Sequence, residues 1–223
     1  MDEVIYAYYP VFRSTAKLRK LSAEDREAAF HEVVLLLKEW SPRVTLRGAY
    51  STAGIRTDAD LLLWLVASLA EDHQEFLVEL RRTAFGRRIE LTHAFMGLVR
   101  PAEFTADHQP AFVKGDPPKR YVCVYPFVRT PEWYLLPREE RAELLREHGL
   151  MGREYPDVLA NTTSNFGIQD WEWILAFEAD DLGRLVDLVR RLRDAGARRY
   201  TKVETPFVTG IRKELPAALA DLV

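Results

Sequence analysis

A chain of 223 residues, 48% of them hydrophobic, can bury a substantial core as one compact unit or as two small ones, which excludes a disordered chain. Its 31 basic residues against 34 acidic ones give a net charge of −3. With no overall positive field and no dense Lys/Arg stripe interleaved with aromatics, nucleic acid is not an expected partner.

Met1-Asp2-Glu3 is acidic and runs directly into a strand at Val4 to Tyr9, without the basic start and apolar stretch of a secretory signal. Ala23 to Trp40 is helical by period: Phe30, Val33, Val34, Leu37 and Trp40 recur at three and four residues. Ser22 is its N-cap candidate, and Glu24 and Asp25 put acids in the first turn. Strands are expected at Val44 to Ser51 and Leu61 to Val66, a helix at Ala70 to Arg82 and a strand at Ile89 to Val99. Pro101 to Arg120 reads as a loop, too long for a mere connector and therefore a place to look for function. A strand follows at Arg120 to Val128. It holds the single cysteine, Cys123, which excludes an intrachain disulfide and reads as a buried, inert thiol in a reducing compartment. Then come a helix at Pro137 to His148, strands at Leu159 to Phe166 and Trp171 to Phe177, a helix at Asp180 to Ala195 and a strand at Tyr200 to Val208. No run of about 18 apolar residues occurs, so no membrane span is expected and the expected setting is cytoplasmic.

The order β-α-β-β-α-β thus occurs twice, and the residues repeat with it. Tyr9-Pro10-Val11-Phe12-Arg13-Ser14 returns as Tyr125-Pro126-Phe127-Val128-Arg129-Thr130. The helix opening Leu21-Ser22-Ala23-Glu24-Asp25-Arg26 returns as Leu136-Pro137-Arg138-Glu139-Glu140-Arg141. The expected fold class is α+β: a duplicated ferredoxin-like chain (a dimeric α+β barrel) with two antiparallel sheets flanked by helices. The first copy should span residues 1–105 and the second, with the connecting loop, 106–223. This register sets Val33 against His148, and a valine can bind neither metal nor proton. Chemistry is therefore expected in the second copy.

Proline suits a first helical turn and glycine the residue after the last, so Pro137 and Gly149 place His148 at a helix C-terminus. An imidazole there can simply favour the negative end of the helix dipole, or it can serve as the one axial ligand of an iron porphyrin. The five histidines, His31, His73, His93, His108 and His148, are scattered, with no zinc-type spacing, so a metal would arrive inside a cofactor. Strand alternation sets Tyr121, Cys123, Tyr125, Phe127 and Arg129 on one face. Tyr125 and Arg129 are then roughly 13 Å apart, a span that can address two edges of a large planar acid. The tyrosine can equally end a core strand with its hydroxyl on backbone. His108, in Thr105-Ala106-Asp107-His108-Gln109-Pro110, is either a solvated loop histidine or, opposite an iron, a base toward peroxide. Trp171 and Trp173, flanking Glu172, are core or interface residues or a redox relay, and Trp173 is kept as a cofactor-binding candidate.

The stretch from Tyr125 to Thr130, then Glu132-Trp133-Tyr134-Leu135-Leu136-Pro137, Glu147-His148-Gly149, Tyr155-Pro156-Asp157-Val158 and Trp171-Glu172-Trp173-Ile174-Leu175-Ala176-Phe177-Glu178 resembles the actinobacterial branch of the coproheme decarboxylases, in the chlorite-dismutase-like superfamily. The resemblance covers the second half closely and the first through the repeat. It implies a peroxide-dependent oxidoreductase that converts two propionates of iron coproporphyrin III (coproheme) to vinyls and gives haem b. It further implies a homopentamer and a transient contact with a ferrochelatase. His148 then matches the proximal iron ligand, Tyr125 the tyrosine that becomes a radical, His108 the distal histidine and Arg129 a basic residue facing a propionate. Chlorite dismutases place a distal arginine after the proximal helix. Here that segment is Leu159-Ala160-Asn161-Thr162-Thr163, which disfavours chlorite decomposition. The alternative readings are a haem peroxidase or chlorite-degrading enzyme, and a haem carrier or sensor without turnover.

Overall fold

The computed structural model describes residues 4–101, 103–104 and 109–223. In chain order the elements are β1 (Tyr6–Ser14), α1 (Ala16–Arg19), α2 (Ala23–Trp40), β2 (Val44–Ser51), β3 (Leu61–Ala67), α3 (Ala70–Arg82) and β4 (Ile89–Leu98). They continue with β5 (Tyr121–Arg129), α4 (Pro131–Leu135), α5 (Arg138–Gly152), β6 (Leu159–Ser164), β7 (Trp173–Ala179), α6 (Leu182–Leu192), β8 (Thr201–Val203), β9 (Val208–Lys213) and α7 (Leu215–Ala220). Short 3₁₀ turns lie at Gly86–Arg88 and Gly196–Tyr200. The fold is α+β. It divides into two units, Met1–Leu98 with Val208–Val223, and Val99–Phe207. That differs from the division expected at 105/106, because the last strand and helix join the first unit.

In the first unit the strands run in the order β4-β1-β3-β2-β9, all antiparallel. The central strand, Leu61-Leu62-Leu63-Trp64-Leu65, is apolar without alternation, as a strand covered on both faces should be. Leu61, Leu63 and Leu65 turn toward a core shared with Phe76 and Leu80 of α3 and with Val33 and Leu37 of α2. Helix α2 starts where Ser22 predicts, its hydroxyl accepting the Asp25 N–H at 3.0 Å. Strand β1 was expected to stop at Tyr9 but continues through Pro10 to Ser14. Proline removes one donor, yet its fixed φ suits an extended chain, and pairing to β3 resumes at Val11.

The second unit has the order β6-β7-β5-β8, again antiparallel. Relative to chain order this matches β2-β3-β1-β4 of the first unit. The expected single strand over 200–208 is instead two. It breaks before Pro206, which has no N–H to extend a ladder, and β9 then pairs with β2. The repeat also extends to a loop not noticed in the sequence: Gly54-Ile55 and Gly167-Ile168 each follow a β strand, with φ of 77° and 76° at the two glycines. Both isoleucines are exposed.

Helix α5 corrects the expectation for His148. It does not end at Gly149 but runs to Gly152, where the Arg153 N–H caps the Gly149 and Met151 carbonyls. Gly149 keeps a negative φ, so nothing in its backbone stops the helix, and Leu150 and Met151 extend it. His148 is therefore one turn inside the C-terminus. Among the described residues no helix is long and apolar enough to cross a membrane.

Phe76 is fully buried and meets the Trp40 ring edge-on at 5.9 Å. Phe76→Ala should cost about 3–5 kcal/mol of stability, measured as a lower midpoint in urea unfolding.

Candidate functional site

Three strands of the second unit build one wall. Register pairs Ser164 with Trp173 and Trp173 with Phe127, then Thr162 with Leu175 and Leu175 with Tyr125. Because alternate residues share a face, these two rows project to the same side. They line a cavity of about 410 Å³. Arg129, two residues beyond Phe127, joins them after a register shift in β5.

The opposite wall is α5. None of its 15 residues is buried, although an ordinary helix of a globular unit hides an apolar stripe. Leu145 and His148, three apart and so on one face, look into the cavity. Val189 and Leu192 of α6 close one side. Thus His148, Tyr125, Arg129 and Trp173, drawn from sequence separately, line a single cavity. His108 lies outside the described residues.

Tyr125 is 5% exposed, between Phe177 at 6.1 Å and Phe207 at 4.5 Å between ring centroids. Burial first, then the neighbouring Cys123 and Glu204, holds its phenol far above the usual tyrosine range. It stays protonated at any pH the protein meets, so an oxidation of this ring must carry off a proton with the electron.

The Arg129 guanidinium lies over Phe127 at 4.7 Å and Trp133 at 4.2 Å and donates from Nη1 to the Ala197 carbonyl at 2.8 Å. Its backbone N–H donates to Glu172 Oε2 at 2.6 Å. Burial pushes the guanidinium down to about 10, still cationic near neutrality. Ring faces and a carbonyl solvate the charge and the nearby Glu172 and Glu204 favour it, while the guanidinium, held by one carbonyl, remains suited to a ligand carboxylate.

A second charged group escaped the sequence reading. Arg193 and Arg198 both reach the same oxygen of Glu204, and all three line the cavity. They come from the end of α6, the 3₁₀ turn and the segment after β8, so no spacing announces them. The Asn161 expected to replace a distal arginine has a structural task. It lies in β6 between cavity-facing positions, accepts the Phe112 N–H at 2.9 Å, and donates to the Ala176 carbonyl and to Glu178 Oε1 at 3.0 and 3.2 Å. It pins the later part of the connecting loop to the sheet. Among the described residues no group of three or more His, Cys, Asp or Glu is arranged to hold a bare metal ion.

The chain belongs to the chlorite dismutase family, whose pattern, described as Chlorite dismutase, matches residues 26–213. It is 48% identical over 201 residues to the coproheme decarboxylase of Mycolicibacterium smegmatis, a match spanning 89% of this chain and 87% of that protein. Among solved structures it resembles chlorite dismutase from Candidatus Nitrospira defluvii. In complex with imidazole, that protein aligns with a TM-score of 0.89 and 24% identity, over 98% of this chain and 94% of the other. A variant of the same protein gives a TM-score of 0.90 and 23% identity, over 100% and 96%. At such identities the likeness to these structures is one of fold.

Proposed function

We propose that this protein converts iron coproporphyrin III to haem b by hydrogen-peroxide-dependent decarboxylation of two propionates. The observation that carries the reading is the meeting of one imidazole, one buried phenol and one half-buried guanidinium in a single cavity of the second unit with mixed apolar and polar walls. The donor set fits an iron porphyrin bearing carboxylates: one histidine suits an axial position, Trp173, Leu175 and Leu145 are flat or aliphatic neighbours, and arginines suit propionates. The 48% identity to a coproheme decarboxylase supports that substrate over haem itself. The buried Tyr125 favours turnover over carriage, since a carrier needs no oxidisable phenol beside its ligand.

In this reading His148 holds the metal, Arg129 a substrate propionate, and Trp173 the porphyrin's flank. The bound iron porphyrin supplies oxidation by peroxide. His108 accepts a proton from peroxide as it binds. Tyr125 gives up its phenolic hydrogen and, as a radical, takes a hydrogen atom from the β-carbon of a propionate. That carbon then loses one electron and carbon dioxide and becomes a vinyl group. Each round turns one propionate and one peroxide, with one proton, into one vinyl, one carbon dioxide and two waters. The protein is accordingly read as an oxidoreductase of haem synthesis. We also read the two units as a ferredoxin-like duplication, the working form as a cytoplasmic homopentamer, and the metallated substrate as delivered through a transient ferrochelatase contact.

The direct test adds peroxide to protein loaded with iron coproporphyrin and follows product mass; two successive losses of one carbon dioxide and two hydrogens are expected. Porphyrin bleaching without mass loss would overturn the reading. His148→Ala should shift the absorption spectrum of the bound iron porphyrin and weaken its retention at least tenfold, and an unchanged spectrum would remove His148 from the iron. Tyr125→Phe keeps the ring and deletes the transferable hydrogen. Binding and peroxide consumption should persist while haem b formation falls at least a hundredfold, as read by chromatography of the extracted porphyrin.

Arg129 gives a pH test. Its cationic form is present below its lowered value and is lost as pH rises through about 10. Retention of iron coproporphyrin should therefore weaken across that window in the parent. In Arg129→Gln retention should be weaker at pH 8 and should lack that step, as followed by spectroscopic titration.

A further inference from the structure

Helix α5 carries two adjacent stripes that do different things. Leu145 and His148 face the cavity, whereas Leu144 and Glu147, displaced by one residue, face the Gly196–Tyr200 turn. There the Gly196 N–H donates to Glu147 Oε2 at 2.8 Å. A Cβ placed on Gly196 would stand 2.9 Å from Leu144 Cδ2 and 3.0 Å from Glu147 Oε2, the ends of two flexible side chains, so an alanine there would displace the Glu147 carboxylate from its bond. The next residue of the turn, Ala197, offers the carbonyl that Arg129 Nη1 occupies. Two peptide groups of one turn, with a single peptide unit between them, thus hold the helix that bears His148 and the guanidinium that faces the same cavity.

A helix whose inner face is only half-buried has little core packing to fix its rotation about its own axis, so polar contacts carry more of that task. A bond at Glu147 fixes that rotation, and the direction of the neighbouring His148 side chain follows from it. We propose that Glu147 is a positioning residue for His148, acting through the Gly196 N–H, and that the Gly196-Ala197 pair couples the aim of this imidazole to the engagement of Arg129 by a ligand carboxylate. When a carboxylate draws the Arg129 guanidinium, the Ala197 carbonyl readjusts, and the readjustment reaches Glu147 through the intervening Gly196–Ala197 peptide and the Gly196 N–H hydrogen bond. Substrate and product differ in the number of carboxylates, so the iron's axial ligation registers which of them is bound. The inference rests on the assignment of His148 to the iron.

The test compares Glu147→Gln, which keeps an acceptor for the Gly196 N–H, with Glu147→Leu, which removes it, both loaded with iron coproporphyrin. The readouts are the iron–imidazole stretching frequency by resonance Raman and the reduction potential. Glu147→Leu should shift both, Glu147→Gln should stay near the parent, and Gly196→Ala should reproduce the Leu variant. Thermal melts of the unloaded proteins show whether any variant has lost its fold, and the Gln variant keeps the comparison available if another has. In the parent, Arg129→Gln should also shift the stretching frequency, and in the Glu147→Leu background that second shift should shrink at least threefold. Frequencies and potentials unchanged in folded Glu147→Leu, or shifted equally by Glu147→Gln, overturn the positioning role; additive shifts in the double variant overturn the coupling. If His148→Ala itself leaves the iron spectrum unchanged, the ligand assignment fails and the inference falls with it.

Discussion

A helix that buries none of its own residues must be held by groups other than a core, and that constraint organises the second unit. Isolated helices of about 15 residues are marginal in water, so α5 depends on what meets its two inner stripes. One stripe docks on the Gly196–Tyr200 turn through Leu144 and Glu147. The other, Leu145 and His148, has the cavity before it. In the first unit the corresponding helix α2 buries Ala29, Val33, Leu37 and Trp40 in a continuous core. The same supersecondary plan is thus filled by side chains in one unit and left open for a large apolar ligand in the other.

The open cavity accounts for the unusual surroundings of its polar groups. Tyr125 is buried among aromatic rings because it belongs to the β5–β7 ladder, where packing specifies a ring at that position. The hydroxyl is then the chemical addition to a structural residue, and desolvation keeps it protonated. Tyr9, at the equivalent place in the first unit, is fully buried against Trp64 at 4.9 Å. The two strands share a tyrosine at this position, and Tyr125 is the one that lines the cavity described above.

Much of this could be read from the residues alone. Alternation placed Tyr125, Phe127 and Arg129 on one face, and period located α2, α3 and α6, because both signals are local and strong. The C-terminus of α5 was misread because glycine is a stop signal only when the backbone turns left-handed there, which residue identity does not reveal. Strand β9 and helix α7 were missed since Pro206 hides a second strand behind an apparent single one. The Arg193–Glu204–Arg198 group could not be seen, as its members come from three elements whose meeting depends on tertiary structure. A usable signal did exist for one missed wall residue: Leu145 lies three before His148, so any cavity facing the imidazole had to include it.

Charge in the cavity explains why carboxylates, and more than one, suit it. Arg129 is cationic but is solvated by rings and a carbonyl, while Arg193 and Arg198 divide a single Glu204 oxygen between them. Arg129 and Arg193 are half-buried and Arg198 is exposed, so these guanidiniums keep hydrogen-bonding capacity that a ligand carboxylate can use. A flat apolar ligand with anionic arms would cover the half-buried stripe of α5 and pair with these guanidiniums. On the proposed reading, a polycarboxylate would engage more of these arginines than its less charged product, and weaker binding of the product would follow from the electrostatics alone.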